Sequence, residues 1–187
     1  MAIISMLYGA ASYVFFLGTF LYAIGFIGNV FVVKSIDSGE PGTVARAVVV
    51  NLVLLTVFAL QHSIMARRSF KRWWTRFVPA AVERSTYVLA ATLALALLLW
   101  KWEPIPEPVI WHVTDPLVAQ LLWAIFWLGW SVLLVSTFLL NHFELFGLRQ
   151  VVMRVMGEEA PAAQEFRTPF LYRYVRHPLY LGFILAF

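Results

Sequence analysis

The stretch Arg176-His177-Pro178-Leu179-Tyr180-Leu181-Gly182 puts an arginine, a histidine and a tyrosine where a basic segment enters an apolar run. Proline has a pre-set φ and no N–H to lose, so Pro178 suits the first turn of a helix. The free N–H groups behind it and the positive end of the helix dipole favour an anionic group, to which Arg176 and His177 add donors. Upstream, Thr168-Pro169 reads as an N-cap and first helical residue. This predicts a short interfacial helix ending before Pro178, with Arg173 and His177 four apart on one face. Tyr172, Tyr174 and Tyr180 surround the junction of the two helices. A ligand with a carboxylate and a positive centre matches this set, the carboxylate on Arg, His and N–H groups and the cation over a tyrosine face. S-adenosylmethionine has both. The same residues also suit an interfacial anchor, with Arg and His at headgroup level and Tyr in the aromatic belt.

Two further clusters carry titratable groups. Asn51, Leu55, Phe58 and His62 share one face of a helix, because eleven residues make almost three whole turns. Asn51 suits an interhelical hydrogen bond, while His62 stands at the mouth of that face and is a candidate base. The second cluster is Asn141-His142-Phe143-Glu144, where another apolar run ends. Glu144 could orient His142 or His177, or accept a proton. A cation would sit better than Glu at a helix C-terminus, so Glu144 reads as having a specific task. The chain has no cysteine, which excludes disulfides, thiolate metal sites and a cysteine nucleophile.

These residues need apolar spans to hold them. Hydrophobic residues make up 61% of the 187, charged residues 13%, and mean hydropathy is +0.79, against roughly 25% charged in a soluble domain. The class is an all-α, polytopic transmembrane bundle. Expected spans are Leu7–Val33, Ala47–Ala66, Thr86–Trp100 (starting back near Arg84) and Leu117–Leu140, with a fifth beginning at Pro178. From Pro178 to Phe187 a helix rises only about 15 Å, roughly half a bilayer, so residues 1–187 read as one integral-membrane domain incomplete at its C-terminus. Of 14 Lys and Arg, only Lys34, Arg46 and Lys101 lie outside segments 67–84 and 141–177. The positive-inside rule then puts those two segments and the N-terminus in the cytoplasm. Glu103-Pro104-Ile105-Pro106-Glu107-Pro108 becomes an extended linker on the other side. The net charge of +4 follows this topology and gives no sign of a nucleic-acid face.

Arg176-His177-Pro178-x-Tyr180-x-Gly182 resembles the cofactor motif of integral-membrane methyltransferases of the isoprenylcysteine carboxyl methyltransferase type, a group that includes nurim-like proteins. Further blocks resemble a bacterial branch whose members methylate methanethiol. They are Gln61-His62-Ser63-x-Met65-Ala66-Arg67, Phe70 to Arg76, Glu83 to Val88, Asn141 to Gln150, and Arg167 through Gly182. The resemblance covers nearly the whole chain. It implies transfer of the S-adenosylmethionine methyl group to methanethiol, releasing dimethyl sulfide, in a bacterial inner membrane. Candidate cofactor residues are then Tyr174, Arg176, His177, Pro178, Tyr180 and Gly182, and candidate catalytic residues are His62, His142 and Glu144. Open alternatives are another lipophilic methyl acceptor, a haem or metal protein using His62, His142 and His177, and a non-catalytic nurim-like protein.

Overall fold

The computed structural model describes residues 2–40, 42–158 and 170–187, and all regular structure among them is helical. Eight α-helices run in order as α1 (Ala2–Gly28), α2 (Val44–Met65), α3 (Arg68–Trp74), α4 (Ala80–Lys101), α5 (Pro116–Leu139), α6 (His142–Leu145), α7 (Leu148–Met156) and α8 (Pro178–Ala186). A single 3₁₀ turn spans Phe170–Arg173. Four of the helices, α1, α2, α4 and α5, are long and apolar enough to cross a membrane. The starts of α2 and α5 follow local capping chemistry. Thr43 Oγ1 accepts from Arg46 N–H at the head of α2, and Asp115 accepts from Leu117 and Val118 N–H, with Pro116 following as the first residue of α5.

The described residues fall into two compact units, one within Met1–Val109 and Phe146–Ala160, the other within Ile110–Leu145 and Pro161–Phe187. In the first, α1 packs on α4, α2 packs on α4, and α7 packs on α1 and α4. Lipid is as apolar as leucine, so helices in it associate by close packing of small side chains. Helix α1 buries Gly9, Ser12, Thr19, Ala23, Gly25 and Phe26, and α4 buries Ser85, Val88, Thr92, Leu98 and Leu99. Their three- and four-residue spacings give each helix one narrow seam. Ser12 and Thr92 donate to the carbonyls of Tyr8 and Val88 one turn back, so their hydroxyls need no partner across the seam. At one end Ala23, Phe26, Leu98 and Leu99 form an apolar cluster, and Trp102 meets Phe26 edge-on. At the other end Val151 of α7 is fully buried beside Gly9. Gly147 has φ +87° and carries Ser85 against its α-carbon, so a side chain there would suffer both backbone strain and collision.

The second unit pairs α5 with α8. A Cβ on Gly182 would lie 2.7 Å from Leu133 N and 2.9 Å from Gly129 O, and one on Gly129 would lie 2.7 Å from Gly182 O. Two glycines therefore set the closest approach of these helices. Trp130 and Phe183 close the contact edge to face.

Several sequence expectations change. The third span starts at Ala80 rather than near Arg84, because Glu83 in the first turn of α4 is buried and paired with Lys71 at 2.9 Å. Segment 67–84 is not an open loop, since α3 lies in it. The first span ends at Gly28, where Asn29 and Phe31 take positive φ and Ile36 N–H turns back to Phe26 O. The helix expected before Pro178 is only the 3₁₀ turn, so Arg173 and His177 do not share a helical face. Its expected cap at Thr168-Pro169 lies outside the described residues.

Enlarging Gly129 or Gly182 to valine is expected to destabilise the protein by about 1–3 kcal/mol through overpacking. Gly18→Ala, where a Cβ meets nothing within 4 Å, leaves stability unchanged or raised. Thermal unfolding of the purified protein followed by circular dichroism reads this. Equal midpoints for all three variants would remove the glycines' packing role.

Candidate functional site

Pro178 is the first residue of α8 and is buried, as its type and position require. His177 is the N-cap, and its carbonyl accepts from Tyr180 and Leu181 N–H at 3.0 and 3.1 Å. Its imidazole makes no capping bond and stands 5.3 Å from the Tyr180 ring. Arg176, His177, Tyr174 and Tyr180 are all exposed, so their polar ends face outward at one helix start. Gly182 is different. It is buried at the α5 contact, which accounts for a glycine there without a ligand.

In the same unit His142 is 4% exposed. Its Nδ1 lies 2.8 Å from Thr137 Oγ1, and its ring stacks on Phe138 at 4.3 Å and 7°. Phe143 meets the imidazole edge-on. Burial pushes the His142 pKa below the usual histidine range. Thr137 also donates to Leu134 O, so one hydroxyl ties the imidazole to the last turn of α5. Asn141 turns the chain with φ +69°, and its amide donates to Glu144 Oε2 at 2.9 Å. The orienter seen at His142 Nδ1 is thus Thr137, and the carboxylate of Glu144 braces the Asn141 turn.

In the other unit His62 lies near the end of α2 and is exposed. Phe58 stacks on it one turn back at 5.7 Å. Across on α4 the Tyr87 hydroxyl reaches its ring nitrogens at 3.1 and 3.2 Å, and Arg84 stands over the Tyr87 ring at 5.2 Å. Asn51 does not join this group. Its amide exchanges two hydrogen bonds with the Glu103 backbone, N–H to Asn51 Oδ1 at 3.0 Å and Asn51 Nδ2 to the carbonyl at 2.8 Å. It acts as the interhelical glue its residue type suggests. Among the described residues no group of three or more His, Cys, Asp or Glu could hold a metal ion.

A family profile described as NnrU protein matches residues 50–185. Methanethiol S-methyltransferase of Mycobacterium tuberculosis is 56% identical over 98% of this chain and 75% of its own length. The chain belongs to the methanethiol S-methyltransferase family. Methanethiol S-methyltransferase 1 of Bradyrhizobium diazoefficiens is 53% identical over 98% of this chain and 64% of its own length. The chain thus spans about two thirds to three quarters of these two relatives. Nurim of Bos taurus is 37% identical over 69% of the chain and 51% of its own length, which ties the methanethiol S-methyltransferase family to the nurim-like proteins. No solved structure matches the chain.

Thr137 and Tyr87 were not expected in the site. Tyr87 reaches His62 by tertiary packing across 25 residues of sequence, whereas Thr137 reaches His142 locally, five residues on across the Asn141 turn. The only trace of Tyr87 in the sequence is its place one turn after Arg84 in a block that resembles the family.

The depressed His142 pKa has a measurable sign. Unfolded, His142 binds a proton near pH 6.5, while the folded state resists it. Stability therefore falls as pH drops below about 6.5, and is unaffected by this group above it. Comparing unfolding at pH 7.5 and 5.5 for wild type and His142→Gln should show a smaller loss in the variant. An identical loss in both would mean that folding does not alter the His142 titration.

Proposed function

We propose that this protein methylates methanethiol to dimethyl sulfide with S-adenosylmethionine as methyl donor. The observation that carries the reading is the likeness of nearly the whole chain to relatives named methanethiol S-methyltransferase. The start of α8 fits the donor's amino-acid end. Arg176 and His177 offer cationic or neutral N–H donors beside the free N–H groups of a helix N-terminus, which is the chemistry a carboxylate needs. The exposed rings of Tyr174 and Tyr180 suit the adjoining positive charge. When bound, S-adenosylmethionine supplies a methyl group on a positively charged sulfur.

The protein's own part is to bind, orient and deprotonate. A simple alkyl thiol is mostly protonated at neutral pH, and the thiolate is the nucleophile. A neutral imidazole can take that proton. Burial favours the neutral form of His142, and its Nδ1 is engaged by Thr137. His62 has Tyr87 as its partner. One of these two is the base in this reading, and Glu144 supports the turn that carries His142. Holding the thiol and the methyl donor together supplies proximity.

The experiment is release of dimethyl sulfide from methanethiol by the whole protein, with binding of S-adenosylmethionine measured separately. Arg176→Ala and His177→Ala are expected to weaken binding about ten- to a hundredfold. His62→Ala or His142→Ala should slow methylation at neutral pH, by about 10²–10⁴-fold for loss of a general base. Raising the pH should partly restore that rate as thiolate forms unaided. No dimethyl sulfide from wild type sinks the reading. Unchanged donor binding in both α8 variants returns Arg176 and His177 to an interfacial anchor. Normal rates in both histidine variants leave thiol ionisation to the positive sulfur's field.

We further infer an inner-membrane location with the N-terminus and segments 67–84 and 141–177 in the cytoplasm, from the distribution of Lys and Arg. A cysteine at Ser69 should resist an impermeant thiol reagent added outside intact cells, and one at Glu107 should label. The opposite pattern would invert the orientation.

A further inference from the structure

At the end of the first unit where α1 and α4 finish and α2 begins, a cavity of about 460 Å³ is lined by Lys34, Glu40, Arg46, Lys101, Glu103 and the backbone around them. A second, more apolar groove of about 540 Å³ runs along α1 and α4, with Val14, Gly18, Tyr22, Ala96 and Leu99 in its walls. Lys34 and Trp100 line both, so a charged chamber and an apolar furrow adjoin at these two residues. A chain-bearing molecule with a charged head has this shape.

The charges in the chamber are mixed and only partly spent. Arg46 pairs with Glu103 Oε1 at 2.9 Å, while Glu103 Oε2 has no hydrogen-bond partner among the described residues. Lys34 Nζ donates to the Trp100 and Trp102 carbonyls at the end of α4, which leaves it one further donor. Lys101 Nζ lies over the Trp100 ring at 3.9 Å. Burial first, and then the nearby Lys101 ammonium, lower the Lys34 pKa against the opposing pull of Glu103. Two ammonium groups that repel each other across a cavity are stabilised by an anion between them. The exposed carboxylate of Glu40 on the same wall suits a cation. Tyr22 fixes the loop by exchanging hydrogen bonds with the Lys34 backbone, 2.9 Å to its carbonyl and 3.2 Å from its N–H. Phe31 and Val33 on that loop are 98% and 100% exposed, as side chains dipping into a bilayer interface would be.

We propose that this chamber and furrow form a binding site for a phospholipid whose head carries both a phosphate and a primary ammonium, with one acyl chain along α1 and α4. The phosphate bridges Lys34 and Lys101, the ammonium meets the exposed Glu40, and the chain passes Gly18. A quaternary ammonium cannot donate to a carboxylate, and a head without an ammonium leaves Glu40 unmatched.

Native mass spectrometry of the intact protein, loaded with phosphatidylethanolamine, phosphatidylcholine or phosphatidylglycerol of identical chains, tests the site. One phosphatidylethanolamine per chain is expected, held about tenfold more tightly than either of the others, the scale of one charge-assisted hydrogen bond. Gly18→Phe fills the furrow at a position where a Cβ meets nothing within 4 Å, and Lys101→Glu reverses a charge on the exposed rim. Both should lose the adduct while keeping the wild-type unfolding temperature. Equal retention of the three lipids, preference for phosphatidylglycerol, or full retention by both variants would overturn the proposal. Equally tight binding of free glycerophosphoethanolamine would overturn the role of the furrow and with it the lipid assignment.

Discussion

A helix inside a bilayer gains nothing from hiding leucine, because the lipid is as apolar as any neighbour. What holds this protein's helices together is close approach, and close approach needs small residues. The seam of Gly9, Ser12, Thr19 and Ala23 on α1 meets that need in one unit, and the Gly129–Gly182 contact meets it in the other. Everything chemical hangs on those contacts. The α1–α4 seam holds the helix that presents Arg84 and Tyr87, while the α5–α8 contact sets the helix start that displays Arg176, His177 and Tyr180.

Polar groups serve this packing in a second way. Asn51 closes a two-way bond with the Glu103 backbone, Lys34 caps the last carbonyls of α4, and Lys71 neutralises the buried Glu83. Each of these bonds lands at or just beyond an end of α4, where charge is least costly. Each joins elements that hydrophobic contact alone would leave free to slide. Thr137 does the same over a shorter range, holding His142 against the α5 terminus.

The long spans were legible because length and hydropathy are local properties. Pro178 fell where capping chemistry puts it, and Asn51 took the role its residue type suggests. The start of α4 was misplaced because Glu83 reads as a loop charge until Lys71 is known to stand beside it. Arg173 and His177 were set on a shared face by assuming an α-helix, but the 3₁₀ turn stops at Arg173. Glu144 reads from the sequence as orienting His142 or His177 or accepting a proton, and the structure adds a bond from Asn141 to its carboxylate. Tyr87 and Thr137 could not be found in advance, since a partner's identity depends on packing that no short motif encodes.

Helix α7 follows α5 in the chain yet closes against α1 and α4, with Val151 beside Gly9 and Gly147 against Ser85. During synthesis α1 must therefore wait for α7, made after α5, to close its seam. Until the ribosome has released the segment around Val151, one end of the α1 seam lies open to lipid or to whatever insertion factor attends it. The first unit is completed only after α5 has been made, so a nascent chain stalled before α7 would display an unfilled notch beside Gly9.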